Sequence, residues 1–324
     1  MSKNKGLVYA CIFDGRGSGK VIGWEDIKSW DASQGTIWIH MNYAVTDARQ
    51  WLMGKSGIDA IYCEALMADE PRPRVAKIGS SLLLILRGVN LNPDSNPEDM
   101  VSVRIWVESN RIISLQRRKL MAVQDIQDSL ANGDGPRDPG DFLAHLTENL
   151  IQRMAGTIEE LEDALDAAED EVLTLAGGSE TANLSDIRHA ALTLRRYLSP
   201  QREVLENIHS IEMKWLGKNQ RSKIREVADK TARFTEDLNL IRERAAVIQD
   251  EIKNILSQQM NRSIFMLAIL SAVLLPMGLV TGLLGINVAG IPGAESPFAF
   301  LVVVLILGGL ATGTLLLLRL FKII

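Results

Sequence analysis

Ser263-Ile-Phe-Met-Leu-Ala-Ile-Leu-Ser-Ala-Val-Leu-Leu-Pro-Met-Gly-Leu-Val-Thr-Gly-Leu-Leu-Gly-Ile286 runs for 24 residues without an ionisable side chain. As a helix it reaches about 36 Å, enough to cross the hydrocarbon core of a bilayer. Phe298–Leu318 is a second such run, of 21 residues. At that depth only a helix satisfies its own backbone, so both runs are expected to be membrane helices. The chain reads as a soluble body joined to a two-helix membrane domain. Two helices cannot enclose a pore, so conduction would require several copies.

Charge sets the expected orientation. Arg262 precedes the first span, Arg319 and Lys322 follow the second, and the loop 287–297 carries one ionisable residue, Glu295. An excess of Lys and Arg stays on the cytoplasmic side, which places both termini in the cytoplasm and the loop outside. Met1–Tyr9 lacks the apolar stretch and cleavage site of a signal peptide. The 324 residues are 47% hydrophobic with a formal net charge of −5, which argues against nucleic acid as a partner. Cys11 and Cys63 stand alone and far apart, in keeping with a reducing compartment and with no disulfide framework.

Working back from the membrane, one helical pattern dominates. Ile224, Val227, Thr231, Phe234, Leu238, Ile241, Ala245, Ile248, Ile252 and Ile255 alternate steps of three and four, with no Pro or Gly before the first span. This predicts one helix from about Ser222 to Gly285. Two shorter stripes precede it. Ile151, Met154, Ile158, Leu161, Leu165, Ala168, Val172 and Leu175 form one; Leu184, Ile187, Ala191, Leu194 and Leu198 form the other, with Gly177-Gly178-Ser179 between them. They read as an antiparallel hairpin against which the long helix packs. Upstream, Val8–Phe13, Thr36–Ile39, Leu82–Leu86, Val101–Val107 and Ile112–Leu115 read as strands, and Asp47–Trp51 and Leu120–Leu130 as helix-compatible stretches. Ala131–Gly140 is dense in turn formers. The expected organisation is an α/β cytoplasmic domain over 1–130, a helical stalk over 141–262 and a membrane domain over 263–324.

The long helix carries a second stripe. Glu243, Asp250, Asn254, Ser257, Asn261, Ile264, Ala268, Ser271, Leu275, Gly278 and Gly282 recur at three-four and seven-residue steps. The stripe is polar before the membrane and small or apolar within it. A ring of such helices would enclose a channel, its cytoplasmic mouth wetted by carboxylates and amides, with Ile264 and Leu275 as apolar constrictions. Small residues in membrane helices also mediate packing, and Gly278-x-x-x-Gly282 and Gly309-x-x-x-Gly313 fit that role.

A long helix entering the membrane, a proline within the first span and then Gly285-Ile286-Asn287 before a second short span resembles the CorA family of divalent-cation transporters. That family's signature is Gly-Met-Asn, so residue 286 departs from it. Thr281–Gly293 is similar to the loop of the zinc-transporting, ZntB-type branch. Asp14-Gly-Arg-Gly17, Arg72-Pro-Arg-Val75, Gln116-Arg-Arg-Lys119 and Arg195-Arg-Tyr-Leu-Ser-Pro-Gln-Arg202 extend the likeness over essentially the whole chain. The resemblance implies a homopentameric funnel in a bacterial inner membrane, with first spans around a central pore and second spans outside them. It implies that Gly285, Ile286 and Asn287 receive a hydrated cation at the outer mouth, where Asn287 offers an amide oxygen and Glu295 a weak attracting field. The transported ion is then Zn2+, with Mg2+, Co2+, Ni2+ and Cd2+ as further candidates. No resident cofactor is expected, and lipid, divalent cations and protons are the expected partners besides the chain itself.

Ligand chemistry does not independently select zinc. Zinc favours His nitrogen and Cys sulfur, and neither residue type occurs in the spans or their loop. A Mg2+ or Co2+ channel of the same family therefore stands as an alternative, as does a membrane-tethered scaffold or cytoplasmic metal sensor that conducts nothing. No Asp, Glu, His, Lys or Arg lies within either span, so no proton relay is visible there.

An enzyme is not expected. Gly15-Arg-Gly-Ser-Gly-Lys20 fails as a phosphate loop, because Asp14 stands where its first Gly belongs and Val21 where Ser or Thr would bind magnesium. It reads as a turn after the first strand. The acidic run Glu159–Asp163 and Glu169–Glu171 reads as a solvated helix face opposite the basic segments Arg188–Arg196 and Lys214–Arg225.

Overall fold

The computed structural model describes residues 6–69, 71–174, 181–286, 291, 293 and 295–321. The order of elements is β1 (Leu7–Phe13), β2 (Gly19–Val21), α1 (Trp24–Ser29), β3 (Ile37–Asn42), α2 (Thr46–Lys55), α3 (Ala60–Met67), β4 (Arg74–Ile78), β5 (Ser81–Gly88), β6 (Val101–Val107), β7 (Arg111–Gln116), α4 (Met121–Asn132), α5 (Pro139–Thr174), α6 (Thr181–Ser210), α7 (Lys218–Leu284) and α8 (Ala299–Leu320). The described residues divide into two compact units, one within residues 1–249 and the other within residues 250–324.

In the larger unit the seven strands form one sheet in the order β2-β1-β3-β7-β6-β5-β4. Only β3 and β7 pair in parallel, with Ile37 opposite Arg111 and Asn42 opposite Gln116. The two-residue period of the strands sorts their side chains to two faces. Leu82, Leu84 and Leu86 of β5 point into one core with Val103, Ile105 and Val107 of β6; Leu83, Ile85 and Trp106 point into the other. Both faces are covered, so β5 reads as a continuous apolar run rather than an alternation.

The first core is closed by α4 and by the early turns of α5, through Phe142, Leu143, Leu146 and Leu150, and includes Ile224 and Val227 of α7. The second is closed by α2 and α3, through Ala48, Leu52, Cys63 and Leu66. Trp38, fully buried on β3, anchors the first core with Tyr9 at 5.2 Å and Phe142 at 5.0 Å between ring centroids. Enclosing each large apolar side chain of this kind contributes about 1.5–3 kcal/mol. Core residues on either side of the turn-rich stretch 131–140 belong to this same cluster.

The helical stripes are buried as their spacing requires. Ile151, Met154, Ile158 and Leu165 of α5, Leu184, Ile187, Ala191, Leu194 and Leu198 of α6, and Leu238, Ile241, Ala245 and Ile248 of α7 are all enclosed. The residues 177–179, expected as the hairpin turn, lie outside the described residues. The acidic face of α5 meets a cation of α7: Arg244 pairs with both Asp166 and Glu169. The reason is the register of the two helices, which brings the polar flank of the α7 stripe beside that of α5.

Two strands escape the pattern. β2 is only three residues long, and β4, Arg-Val-Ala-Lys-Ile, is an edge strand whose residues are partly or fully exposed. The β4–β5 hairpin turns on Gly79, whose φ of +59° suits the first position of a tight two-residue loop. The glycine-rich segment after β1 is a turn, as expected. The Asp14 carboxylate accepts the backbone N–H groups of Arg16, Gly17 and Ser18 at 2.7, 3.1 and 3.0 Å. Those bonds, Arg16 first, hold its pKa below the ordinary value. The donors that a phosphate would need are taken by the chain's own anion.

Candidate functional site

α7 is 67 residues long, so its rise is about 100 Å. It starts four residues before the expected position and ends one residue before Gly285. The second stripe, from Glu243 to Gly282, lies wholly on this one helix. A heptad repeat on a straight helix drifts by about 20° per seven residues, so the stripe winds slowly around α7 and would straighten only under supercoiling.

Charge along the stripe is confined to the part that precedes the apolar span. Glu243 sits 3.1 Å from Arg242, and Asp250 sits 2.9 Å from Lys253 one turn on; Arg242 is partly buried and the other three side chains are exposed. Nearer the sheet, Glu162 of α5 has its pKa raised, first by partial burial and then by Asp237 and Asp166. Hydrogen bonds that Arg244 donates to Glu169 and Asp166 raise the pKa of its guanidinium.

In the smaller unit, α7 and α8 are each long and apolar enough to cross a membrane, and neither span is buried. Ile264 is 56% and Leu275 76% exposed, so both proposed constrictions are open on this chain. Nothing packs where side chains at Gly278 and Gly282 would extend. Hydroxyls within the spans turn back onto their own helix: Thr281 bonds to the carbonyls of Met277 and Gly278, and Thr312 to that of Gly308. Pro276 has no N–H to give to the preceding turn, which leaves a carbonyl one turn earlier free of its usual partner.

At its C-terminal end α7 closes with Gly285 N–H bonded to the carbonyls of Thr281 at 2.9 Å and Gly282 at 3.2 Å. A Cβ on Gly285 would lie 3.1 Å from the Thr281 oxygen. The close approach, rather than a left-handed backbone, is what favours glycine here. Ile286 is half exposed. Asn287 lies outside the described residues, and Glu295 is exposed. Among the described residues no three His, Cys, Asp or Glu side chains converge as a metal cluster.

Arg87 and Arg104 were not singled out in the sequence. Each is a buried charge set within an apolar strand, Ser-Leu-Leu-Leu-Ile-Leu-Arg-Gly and Val-Ser-Val-Arg-Ile-Trp-Val. The signal available was that interruption, a lone arginine within an otherwise largely apolar strand.

A sheet covered on both faces, continued by one very long helix into a pair of exposed apolar spans, defines a membrane protein with a large soluble body. A family model described as CorA-like Mg2+ transporter protein matches residues 33–321, and the chain belongs to that family. It is 37% identical over 311 residues to the divalent cation transporter CmaX of Pseudomonas aeruginosa, covering 95% of this chain and 94% of that protein. It is 33% identical over 313 residues to the zinc transport protein ZntB of Pectobacterium carotovorum, with the same coverage. The structure of full-length CmaX matches with a TM-score of 0.89 at 36% identity over 99% of both chains. The complete CorA magnesium transporter from Methanocaldococcus jannaschii matches with a TM-score of 0.81 at 19% identity, covering 96% of this chain and 98% of that one, a likeness of fold.

Proposed function

We propose that this chain is one subunit of a homopentameric inner-membrane transporter that passes Zn2+ and related divalent cations through a central pore. The first span of α7 lines the pore with Asn261, Ile264, Ala268, Ser271, Leu275, Gly278 and Gly282. Glu243, Asp250, Asn254 and Ser257 line the cytoplasmic approach. Gly285, Ile286 and Asn287 form the outer mouth, where amide and backbone oxygens hold the cation through its water shell, and Glu295 concentrates cations nearby. Both termini face the cytoplasm.

The observation that carries this reading is the uninterrupted α7, which bears one polar-to-small stripe from a carboxylate-lined stretch to the end of an exposed span. Relatives described as transporters of zinc and of divalent cations support the substrate class. A Mg2+ or Co2+ selectivity is favoured by a different observation: the spans and their loop contain oxygen donors and no His or Cys.

Uptake into proteoliposomes tests both. Wild type and Asn287→Ala are compared for Zn2+ and Mg2+ at two pH gradients. Zn2+ flux that falls in Asn287→Ala supports the proposal. Mg2+ flux without Zn2+ flux selects the second reading, and absence of flux for any divalent cation leaves a non-conducting scaffold.

A further inference from the structure

A cavity of about 450 Å3 opens in the α/β unit against the ends of β5 and β6. Among the described residues lining it are five arginines, Arg87, Arg104, Arg117, Arg118 and Arg196, against two acids, Glu98 and Asp99. The lining holds three more arginines than acids, and Arg117 also pairs with Asp69 at 3.5 Å beside it. Two of the sequence segments that the pore does not use meet here. Gln116–Lys119 supplies Arg117 and Arg118, and Arg195–Arg202 supplies Arg196 and Tyr197.

Arg104 decides the chemistry. It is 2% exposed, its guanidinium lies 4.3 Å over the ring of Tyr43, and Nη1 donates to the Leu66 carbonyl at 3.2 Å. Its Nε–H, also buried, has no hydrogen-bond partner among the described residues. An arginine keeps its proton, and a buried guanidinium with an unused donor carries a desolvation penalty that Tyr43 and Asp69 offset only in part. An anion entering the cavity removes that penalty. Beside it, Arg87 is fixed by donation to the Pro71 and Met100 carbonyls and lies 4.2 Å over the ring of Tyr197. Tyr197 also accepts a hydrogen bond from Arg196 at 2.8 Å. Planar forks held by rings and carbonyls are preorganised for oxyanions, and a group carrying more than one charge matches the excess better than a single carboxylate. The volume falls in the range of small-molecule sites.

We infer that this cavity binds a phosphate-bearing small molecule of mononucleotide size or less, engaged by Arg104 from the sheet and by Arg196 and Arg118 at the rim. The inference does not depend on which ion the pore carries. Such a ligand would bridge α6 to the sheet.

Isothermal titration of the full-length protein in detergent, at low ionic strength with EDTA, tests this with inorganic phosphate, pyrophosphate, AMP and ATP. The expected result is saturable binding of at least one of them with a Kd below about 1 mM. Affinity should fall tenfold or more in Arg104→Gln and in Arg196→Gln. Equal binding of pyrophosphate and ATP makes the phosphates the whole determinant, and preference for AMP or ATP extends the ligand to a nucleotide; both support the site. Because Arg196 is exposed on α6, its variant reports binding even if Arg104→Gln does not fold. No binding of any of the four by wild type, or affinity unchanged in both variants, overturns the inference.

Discussion

Gln201 of α6 holds the backbone of Arg87 from both sides, its Oε1 accepting the Arg87 N–H at 2.7 Å and its Nε2 donating to the Arg87 carbonyl at 3.0 Å. The register explains why a side chain does this. β4 begins at Arg74, opposite Ile85, so β5 runs on to Gly88 without a strand on that side. The amide of Gln201 replaces the missing ladder pair and fastens a stalk helix to the sheet at a fully buried point. Gln201→Leu would leave two buried backbone groups unsatisfied, at about 1–3 kcal/mol each. A clear drop in the unfolding temperature of the detergent-solubilised protein is expected, and wild-type stability would show that the clamp carries no energy.

His40 gives the body a pH dependence. Its Nδ1 lies 2.7 Å from Ser114 Oγ, which also accepts the Trp38 indole N–H at 2.7 Å. Complete burial pushes the imidazole pKa down to about 4, outweighing the upward pull of hydrogen bonding to Gln116 and Ser114, which favours the protonated ring. In the unfolded chain the group titrates near its ordinary value of about 6.5. Between these values the unfolded chain binds a proton that the folded chain does not. The stabilisation is therefore present above pH 6.5 and is lost as pH falls towards 4, at up to about 1.4 kcal/mol per pH unit. His40→Gln should flatten the fall in unfolding temperature between pH 7 and pH 5 relative to wild type. Parallel curves for the two proteins would rule this out.

Where both faces of an element and its length agreed, residue order alone located it. The three long helices follow from apolar period, and β5, β6 and β7 from short, largely apolar runs, because burial on one face or on both leaves that trace in the chain. β4 and β2 left none: an exposed edge strand needs no apolar face, and Arg-Val-Ala-Lys-Ile alternates too weakly to stand out. The parallel pairing of β3 with β7 was not legible either, since strand order is set by crossovers and not by any local preference. The stripe on α7 was visible as spacing. The arginine cavity was not, because its walls come from β5, β6, the segment after β7 and α6, and no spacing within one element brings those together.

Gly17 is required by both its backbone and its surroundings. Its φ is +115°, and a Cβ there would lie 2.4 Å from the Gly133 carbonyl oxygen. The Gly17 carbonyl also accepts the Gly135 N–H at 2.7 Å, so the loop after β1 is fastened to the turn after α4. Gly17→Ala should cost about 1–3 kcal/mol through backbone strain alone, with more from breaking this junction. Limited proteolysis within 131–138 should accelerate together with a lower unfolding temperature. Unchanged cleavage and stability would show that the loop relaxes freely.

Asp250 separates electrostatics from folding on the proposed pore face. It is 72% exposed, and its pairing with Lys253 one turn on is a surface ion pair. Such pairs contribute about 0–1 kcal/mol, so Asp250→Asn should leave the unfolding temperature close to wild type. In the proposed ring of five subunits, however, the substitution removes five carboxylates from the proposed pore approach and weakens the field that concentrates cations there. Divalent-cation uptake should fall roughly threefold or more, or lose its dependence on the pH gradient, while stability is retained. Field focusing also predicts that the deficit shrinks as ionic strength rises, because screening removes the wild-type advantage. Identical uptake at both pH gradients and at low salt, measured at equal reconstitution, would exclude Asp250 from the transport path.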